Sequence, residues 1–151
     1  YIVGDGYERP KLENFCRKNG LENDVIFTGW IPREEVFKHL SDSDIYYSTT
    51  FKEGGTWAFF EAVAMGIPVA CLRISGPDMI VADDCGIKIE PTNPKEVIEG
   101  LSAGLYKLST NPDLRRKYAK SAKLALLEKG TWSKIMSRVE GVYKEVLDPI
   151  D

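Results

Sequence analysis

At 151 residues with a net charge of −3, from 20 basic and 23 acidic side chains, the chain is long enough for one ordinary domain with its own core and offers no general field for nucleic acid or anionic lipid. Its three cysteines, Cys16, Cys71 and Cys85, are odd in number, widely spaced and without a C-x-x-C, which argues against a disulfide framework or zinc site and for a reducing cytosol. No apolar run is long enough to span a bilayer and no signal peptide opens the chain, which starts at Tyr1 inside what reads as a strand, as a fragment would.

Tyr1-Ile2-Val3 is a short apolar run ended by the turn Gly4-Asp5-Gly6. A helix is predicted from about Pro10 to Lys18, with Leu12, Phe15 and Cys16 inward and Asn19-Gly20 as its stop. Arg9 stands where a dinucleotide-binding fingerprint has its third glycine, so Gly4 and Gly6 are a weak signal for NAD. Val25 to Thr28 reads as the second strand, and Gly29-Trp30-Ile31-Pro32 leads into a short helix with Pro32 at its first position and Val36, Phe37 and Leu40 on its apolar face. The sole histidine, His39, has no Cys, His or Asp at ligand spacing and reads as a surface or hydrogen-bonded residue.

Asp44 to Ser48 is the third strand, delivering Thr49, Thr50 and Phe51 to one sheet edge. Pro68 to Leu72 is the fourth; Ser75-Gly76-Pro77-Asp78 forms a turn that opens a short helix through Val81, and Gly86 to Ile89 is the fifth strand. From Pro91 onward the signals are helical. Asn93-Pro94-Lys95-Glu96 reads as an N-cap, first-turn proline and capping-box glutamate, opening a helix to about Leu108. Asn111-Pro112-Asp113 opens another that ends near Gly130, and a last helix after Trp132 repeats Ile135, Met136, Val139, Val142, Tyr143 and Val146 at spacings of three and four. Alternating short strands and helices imply a Rossmann-like, doubly wound parallel sheet with helices on both faces, an α/β fold in a single domain over residues 1–151.

The chemistry concentrates in Glu53-Gly54-Gly55-Thr56-Trp57-Ala58-Phe59-Phe60-Glu61. Paired glycines let backbone approach a ligand without a Cβ in the way, and Thr56 is placed to cap a helix from Trp57 to Met65 that Gly66 and Pro68 stop. With Glu61 as the one charge in that run, the helix is expected to be buried on most sides. Its first N–H groups favour an anion such as phosphate, while Glu53 before it and Glu61 after it can accept hydrogen bonds from hydroxyls. Two carboxylates so placed suit a sugar and a ribose on either side of a diphosphate; the plain alternative is a buried helix with one solvent-facing Glu.

The same stretch resembles the E-x7-E signature of retaining glycosyltransferases of the GT-B fold, family 4, where it continues, as in Glu61 to Val69 here, into E-A-x-A-x-G-x-P-V. The resemblance extends through Ile2 to Gly6, Val25 to Gly29, Ser43 to Ser48 and Thr131-Trp132-Ser133. It departs after the fourth strand, where the family has a Gly-Gly pair with a carboxylate three residues on and this chain has Ser75-Gly76 and then Met79.

The resemblance implies the C-terminal, donor-binding half of the enzyme. The acceptor domain and a first strand-helix unit, whose strand belongs near the middle of the sheet and whose Arg and Lys neutralise the diphosphate, would be absent. Glu53 would bind donor-sugar hydroxyls as the catalytic-site carboxylate, Glu61 the ribose, and Gly54, Gly55, Thr56 and Trp57 the diphosphate through backbone N–H groups. Gly4, Gly6 and Trp30 would border the nucleotide; read from the residues alone, the first two are a plain turn and Trp30 a packing residue. The donor would be a UDP-, GDP- or ADP-linked sugar, transferred without a metal ion or other cofactor. The location implied is cytoplasmic or peripheral on the inner face of a membrane, with any membrane contact made through the parent chain and none with nucleic acid. A nucleotide-sugar binding module without chemistry and a same-fold sugar-nucleotide 2-epimerase remain the alternatives.

Overall fold

The computed structural model describes residues 1–52, 54 and 57–147, with the backbone alone at 129 and 130. The chain gathers into two compact units, Tyr1–Ser43 and the remainder from Asp44 onward.

The first unit is β1 (Ile2–Val3), α1 (Arg9–Lys18), β2 (Phe27–Gly29) and α2 (Arg33–Ser41). β1 and β2 pair in parallel, Ile2 opposite Phe27 and Val3 opposite Gly29, with the ladder irregular between the two pairs. That direction requires a crossover, which α1 supplies. Pro10 sits in the first turn of α1 and Arg17 and Lys18 in its last, each where the helix ends favour it. Pro32 lies one position before the expected place. Its ψ of 148° is extended, so it acts as the N-cap of α2, and its carbonyl accepts from the N–H groups of Glu35 and Val36.

The second unit holds β3 (Tyr46–Tyr47), α3 (Trp57–Met65), β4 (Val69–Leu72), α4 (Ser75–Ile80), β5 (Gly86–Ile89), α5 (Pro94–Thr110), α6 (Pro112–Ala125), a π-helical turn at Leu126–Gly130 and α7 (Trp132–Leu147). Its strands form one parallel sheet in the order β3-β4-β5. β4 is the middle strand, and all four of its residues are buried, as an apolar run covered on both faces should be. Leu72 packs with Val97 and Leu101 of α5 and with Ile74 and Ile89. On the other element bordering β4, Phe59 of α3 meets Tyr46 edge to face at 5.2 Å.

α3 has the expected limits but not the expected burial. Phe59, Ala62 and Val63, at helical spacings of three and four, face the core; Trp57, Phe60 and Ala64 are exposed. A nine-residue helix on one sheet buries one stripe, whatever the polarity of its other faces. Its end is a Schellman closure, with Ile67 N–H donating to Ala62 O and Gly66 N–H to Val63 O. Gly66 takes φ +73°, the left-handed conformation that makes the glycine necessary there. α7 keeps its three-and-four apolar repeat, yet none of its described residues is buried.

Candidate functional site

In doubly wound folds ligands sit beyond the carboxyl ends of the strands; Gly4, Gly6, Trp30, Gly54 and Trp57 lie at such ends or at the start of the helix that follows, and Glu61 lies one turn into that helix. In the first unit the chain leaves β1 through Gly4, at φ +115°, and leaves β2 through Gly29, at φ +68°. Gly4 N–H donates to Gly29 O at 3.0 Å, so the two exits are joined. Gly6 N–H donates to Asp5 Oδ1 at 2.8 Å, closing the turn. Trp30 follows Gly29 directly and is 84% exposed, so its indole lies outside the core. The structure thus brings Gly4 and Trp30 to one edge, with Gly6 two residues further on.

Arg9, which the sequence marks only as an interruption of a glycine pattern, organises this edge. Its Nε donates to Glu13 Oε1 at 2.7 Å, its Nη1 to Asp5 Oδ2 at 3.0 Å and its Nη2 to Phe27 O at 3.3 Å. The hydrogen bonds it donates to Glu13 and then Asp5 raise its already high pKa, so the guanidinium keeps its charge.

In the second unit the chain leaves β3 at Tyr47, passes Ser48 to Thr50 and reaches the start of α3. Glu53, Gly55 and Thr56 lie outside the described residues, so the proposed cap and the first carboxylate are not described. Gly54 is exposed. Trp57, at the first turn of α3, is 67% exposed, and its ring lies 6.0 Å from that of Phe60. Glu61 is half-buried one turn further on, on the same helix as Trp57.

A cluster of charges at the far strand ends was not foreseen. Lys88 of β5 is the one charged residue in Gly86-Ile87-Lys88-Ile89, and its side chain is only 4% exposed. Its Nζ lies 2.6 Å from Asp78 Oδ1 and 2.8 Å from Asp83 Oδ1. Arg73, just beyond β4, shares both carboxylates and adds Glu90 at 2.8 Å. Hydrogen bonds from Lys88 hold Asp78 and Asp83 below the usual carboxylate range, with Arg73 assisting. Burial works against the Lys88 charge, but the hydrogen bonds to Asp78 and Asp83 outweigh it and raise its pKa. After β4, where the chain departs from the resembled pattern, it carries a cluster in which Arg73 and Lys88 pair with Asp78, Asp83 and Glu90. Its signal in the sequence was a lone lysine inside an apolar strand, which needs buried anions to be tolerated.

Cys71 and Cys85 are buried, and burial pushes both thiols up to about 11, so neither is a thiolate nucleophile at neutral pH. Among the described residues no three His, Cys, Asp or Glu side chains stand together as metal ligands, and no helix is long and apolar enough to cross a membrane.

The profile of the group 1 glycosyl transferases matches residues 1–125. An uncharacterized glycosyltransferase of Methanocaldococcus jannaschii is 27% identical over 149 residues, which make up 97% of this chain but 37% of that protein. The chain thus spans little more than a third of that relative. Among solved structures, S. aureus TarM in complex with fondaparinux, alpha-GlcNAc-glycerol and UDP superposes with a TM-score of 0.77 at 24% identity, over 94% of this chain and 28% of that one. The C-terminal domain of a group 1 family glycosyl transferase from Francisella tularensis gives 0.69 at 26% identity, over 82% and 63%. The α/β architecture is that of the Rossmann-like half of a GT-B enzyme. With four-fifths of its length matched by one family profile, this chain belongs to the group 1 glycosyltransferases.

Proposed function

We propose that this chain is the donor-binding half of a retaining glycosyltransferase that moves a hexose from a nucleoside diphosphate to a glycan, lipid or small-molecule acceptor. The observation that carries this reading is α3, which starts at Trp57 beyond the carboxyl end of β3 and bears Glu61 one turn in. In this reading the N–H groups of Gly54 to Trp57 bind the diphosphate and stabilise charge as it leaves. Glu53 accepts hydrogen bonds from the donor sugar and Glu61 from the ribose. The acceptor hydroxyl oxygen bonds to the anomeric carbon as the bond from that carbon to the diphosphate breaks, on the same face and with no metal ion, and the hydroxyl proton passes to the departing diphosphate oxygen. UDP in the TarM structure supports a nucleoside diphosphate as the ligand class.

Calorimetric titration with UDP, GDP and ADP tests this, with Glu61→Gln as the comparison. Saturable binding of one nucleotide, weakened about tenfold by loss of a charged hydrogen-bond acceptor, is the expected result. No binding by a folded sample would overturn the reading.

A further inference from the structure

α7 carries an apolar stripe that its own domain leaves open. Its chief neighbour is the π-helical turn that precedes it. Ile135, Met136, Val139, Val142, Tyr143 and Val146 recur at spacings of three and four along one face, and Val139, near the middle, is 38% exposed while Val146 is 74% exposed. A helix of 16 residues that holds Gly141 and the β-branched Ile135, Val139, Val142 and Val146 cannot rely on its own propensity in water. Its stability has to come from a surface that covers the stripe.

The charges beside the stripe select the occupant. Lys134, Arg138 and Lys144 stand against Glu140 and Glu145, so the polar face lacks the strong positive bias of a helix that lies on an anionic lipid surface. Glu140 and Lys144 are four apart, in the order that pairs within a helix. Arg138 has no such partner: Lys134, four positions before it, repels it, and Gly141 and Val142 follow at three and four. Glu145 has the same Gly141 and Val142 at those spacings before it. The two lie on one flank of the stripe but about 10 Å apart along the axis, too far to pair within one helix. An antiparallel second copy supplies both missing partners at once. With Val139 packed on Val142 of the second copy, Ile135 falls against Val146 and Arg138 falls against Glu145, each pair occurring twice about the two-fold axis. A parallel copy would set Arg138 beside Tyr143 and leave both charges unpaired.

We propose that α7 is a self-association surface through which two copies of this chain pair antiparallel, with Val139 and Val142 at the centre of the seam and Arg138 and Glu145 as the ion pairs that fix its direction. The pairing is independent of nucleotide binding. A paired length of about 24 Å is too short to bury the roughly 800 Å² per partner of a standard interface, so the dimer is reversible, with a micromolar dissociation constant.

Sedimentation equilibrium of the chain from low to high micromolar concentration tests this. The average mass should rise from that of one chain toward that of two, and Val139→Asp should leave a monomer throughout. Arg138→Glu and Glu145→Arg, each of which turns both flanking pairs repulsive, should raise the dissociation constant about tenfold; the double variant, which rebuilds both pairs reversed, should return it to within about twofold of wild type. None of these side chains is buried in the single chain, so the variants should keep the cooperative melt of the wild type, which circular dichroism checks. A chain that stays monomeric, a dimer that Val139→Asp leaves intact, or a double variant no tighter than the single ones would each overturn the pairing. A monomer that instead binds vesicles of neutral and anionic phospholipid would overturn it in favour of a lipid surface.

Discussion

At the scale of single residues, Lys88 shows how a polar group can sit almost fully enclosed at a sheet end. The residue stands opposite Cys71 in the β4-β5 register, yet its two carboxylate partners come from α4 and from the loop after it. Asp78 and Asp83 have lowered pKa values, so the stability that their pairing contributes is complete above the unfolded carboxylate value of about 4 and is lost as pH falls through the lower folded values. Lys88 has a raised pKa, so its contribution is complete below about 10 and is lost as pH rises through the folded value. The melting midpoint should therefore be flat between those limits and fall on either side. In Lys88→Met both limbs should flatten, the acid one only in part because Arg73 still pairs both aspartates. Thermal melts of wild type and variant from acid to alkaline pH check this, and parallel curves would refute it. The lone lysine was legible in the sequence; its partners, ten and five residues away in segments without periodicity, were not.

At the scale of elements, the helix starts were the most legible features, because a cap is a local device that needs no tertiary partner. Asn93 Oδ1 accepts Glu96 N–H at 3.1 Å and Asn111 Oδ1 accepts Leu114 N–H at 2.9 Å, each followed by proline at the first helical position. Side-chain hydrogen bonds with Thr92 and then Asn93 lower the Glu96 pKa. Asn93→Ala and Asn111→Ala should each cost about 1 kcal/mol, with Asn93→Ala the larger because its loss also strips a partner from Glu96. Urea unfolding midpoints at unchanged slope measure both; a smaller loss at Asn93 would contradict the ordering.

What sequence could not supply at this scale was close approach between elements. Glycine inside a helix costs stability, yet a Cβ at Gly100 would lie 2.6 Å from Ile89 Cγ2 and one at Gly104 would lie 3.1 Å from Ile87 Cγ2. The pair lets α5 settle onto β5, a fact about two surfaces that neither segment states alone. Strand ends were misjudged for a related reason. Val25 to Thr28 was expected and Phe27–Gly29 is observed; Asp44 to Ser48 was expected and Tyr46–Tyr47 is observed, because a ladder extends only as far as its neighbour offers partners.

At the scale of the molecule, alternation of strands and helices sufficed for the α/β class, but which strands pair is a long-range property. The ladders come as β1-β2 and β3-β4-β5, and the two units differ sharply in what they bury. Among the described residues of the first, the buried apolar side chains are Cys16 and Leu40. The second buries Phe59, Val63, Val69, Leu72, Val81, Val97, Leu101 and Leu108, among others. Two buried side chains contribute a few kcal/mol, about 1.5–3 each, against roughly 1–2 kcal/mol of backbone entropy for every residue ordered. The helices of the first unit have 10 and 9 residues, below the length at which an isolated helix persists in water. A peptide of residues 1–43 should therefore show a coil-like far-ultraviolet spectrum and no cooperative melt. The segment from Asp44 onward, carrying the three-stranded sheet and nearly all of the core, should keep its helical spectrum and melt cooperatively. Circular dichroism of the two pieces decides between this and the opposite case, in which the 1–43 peptide folds alone and the core inventory misjudges where stability resides.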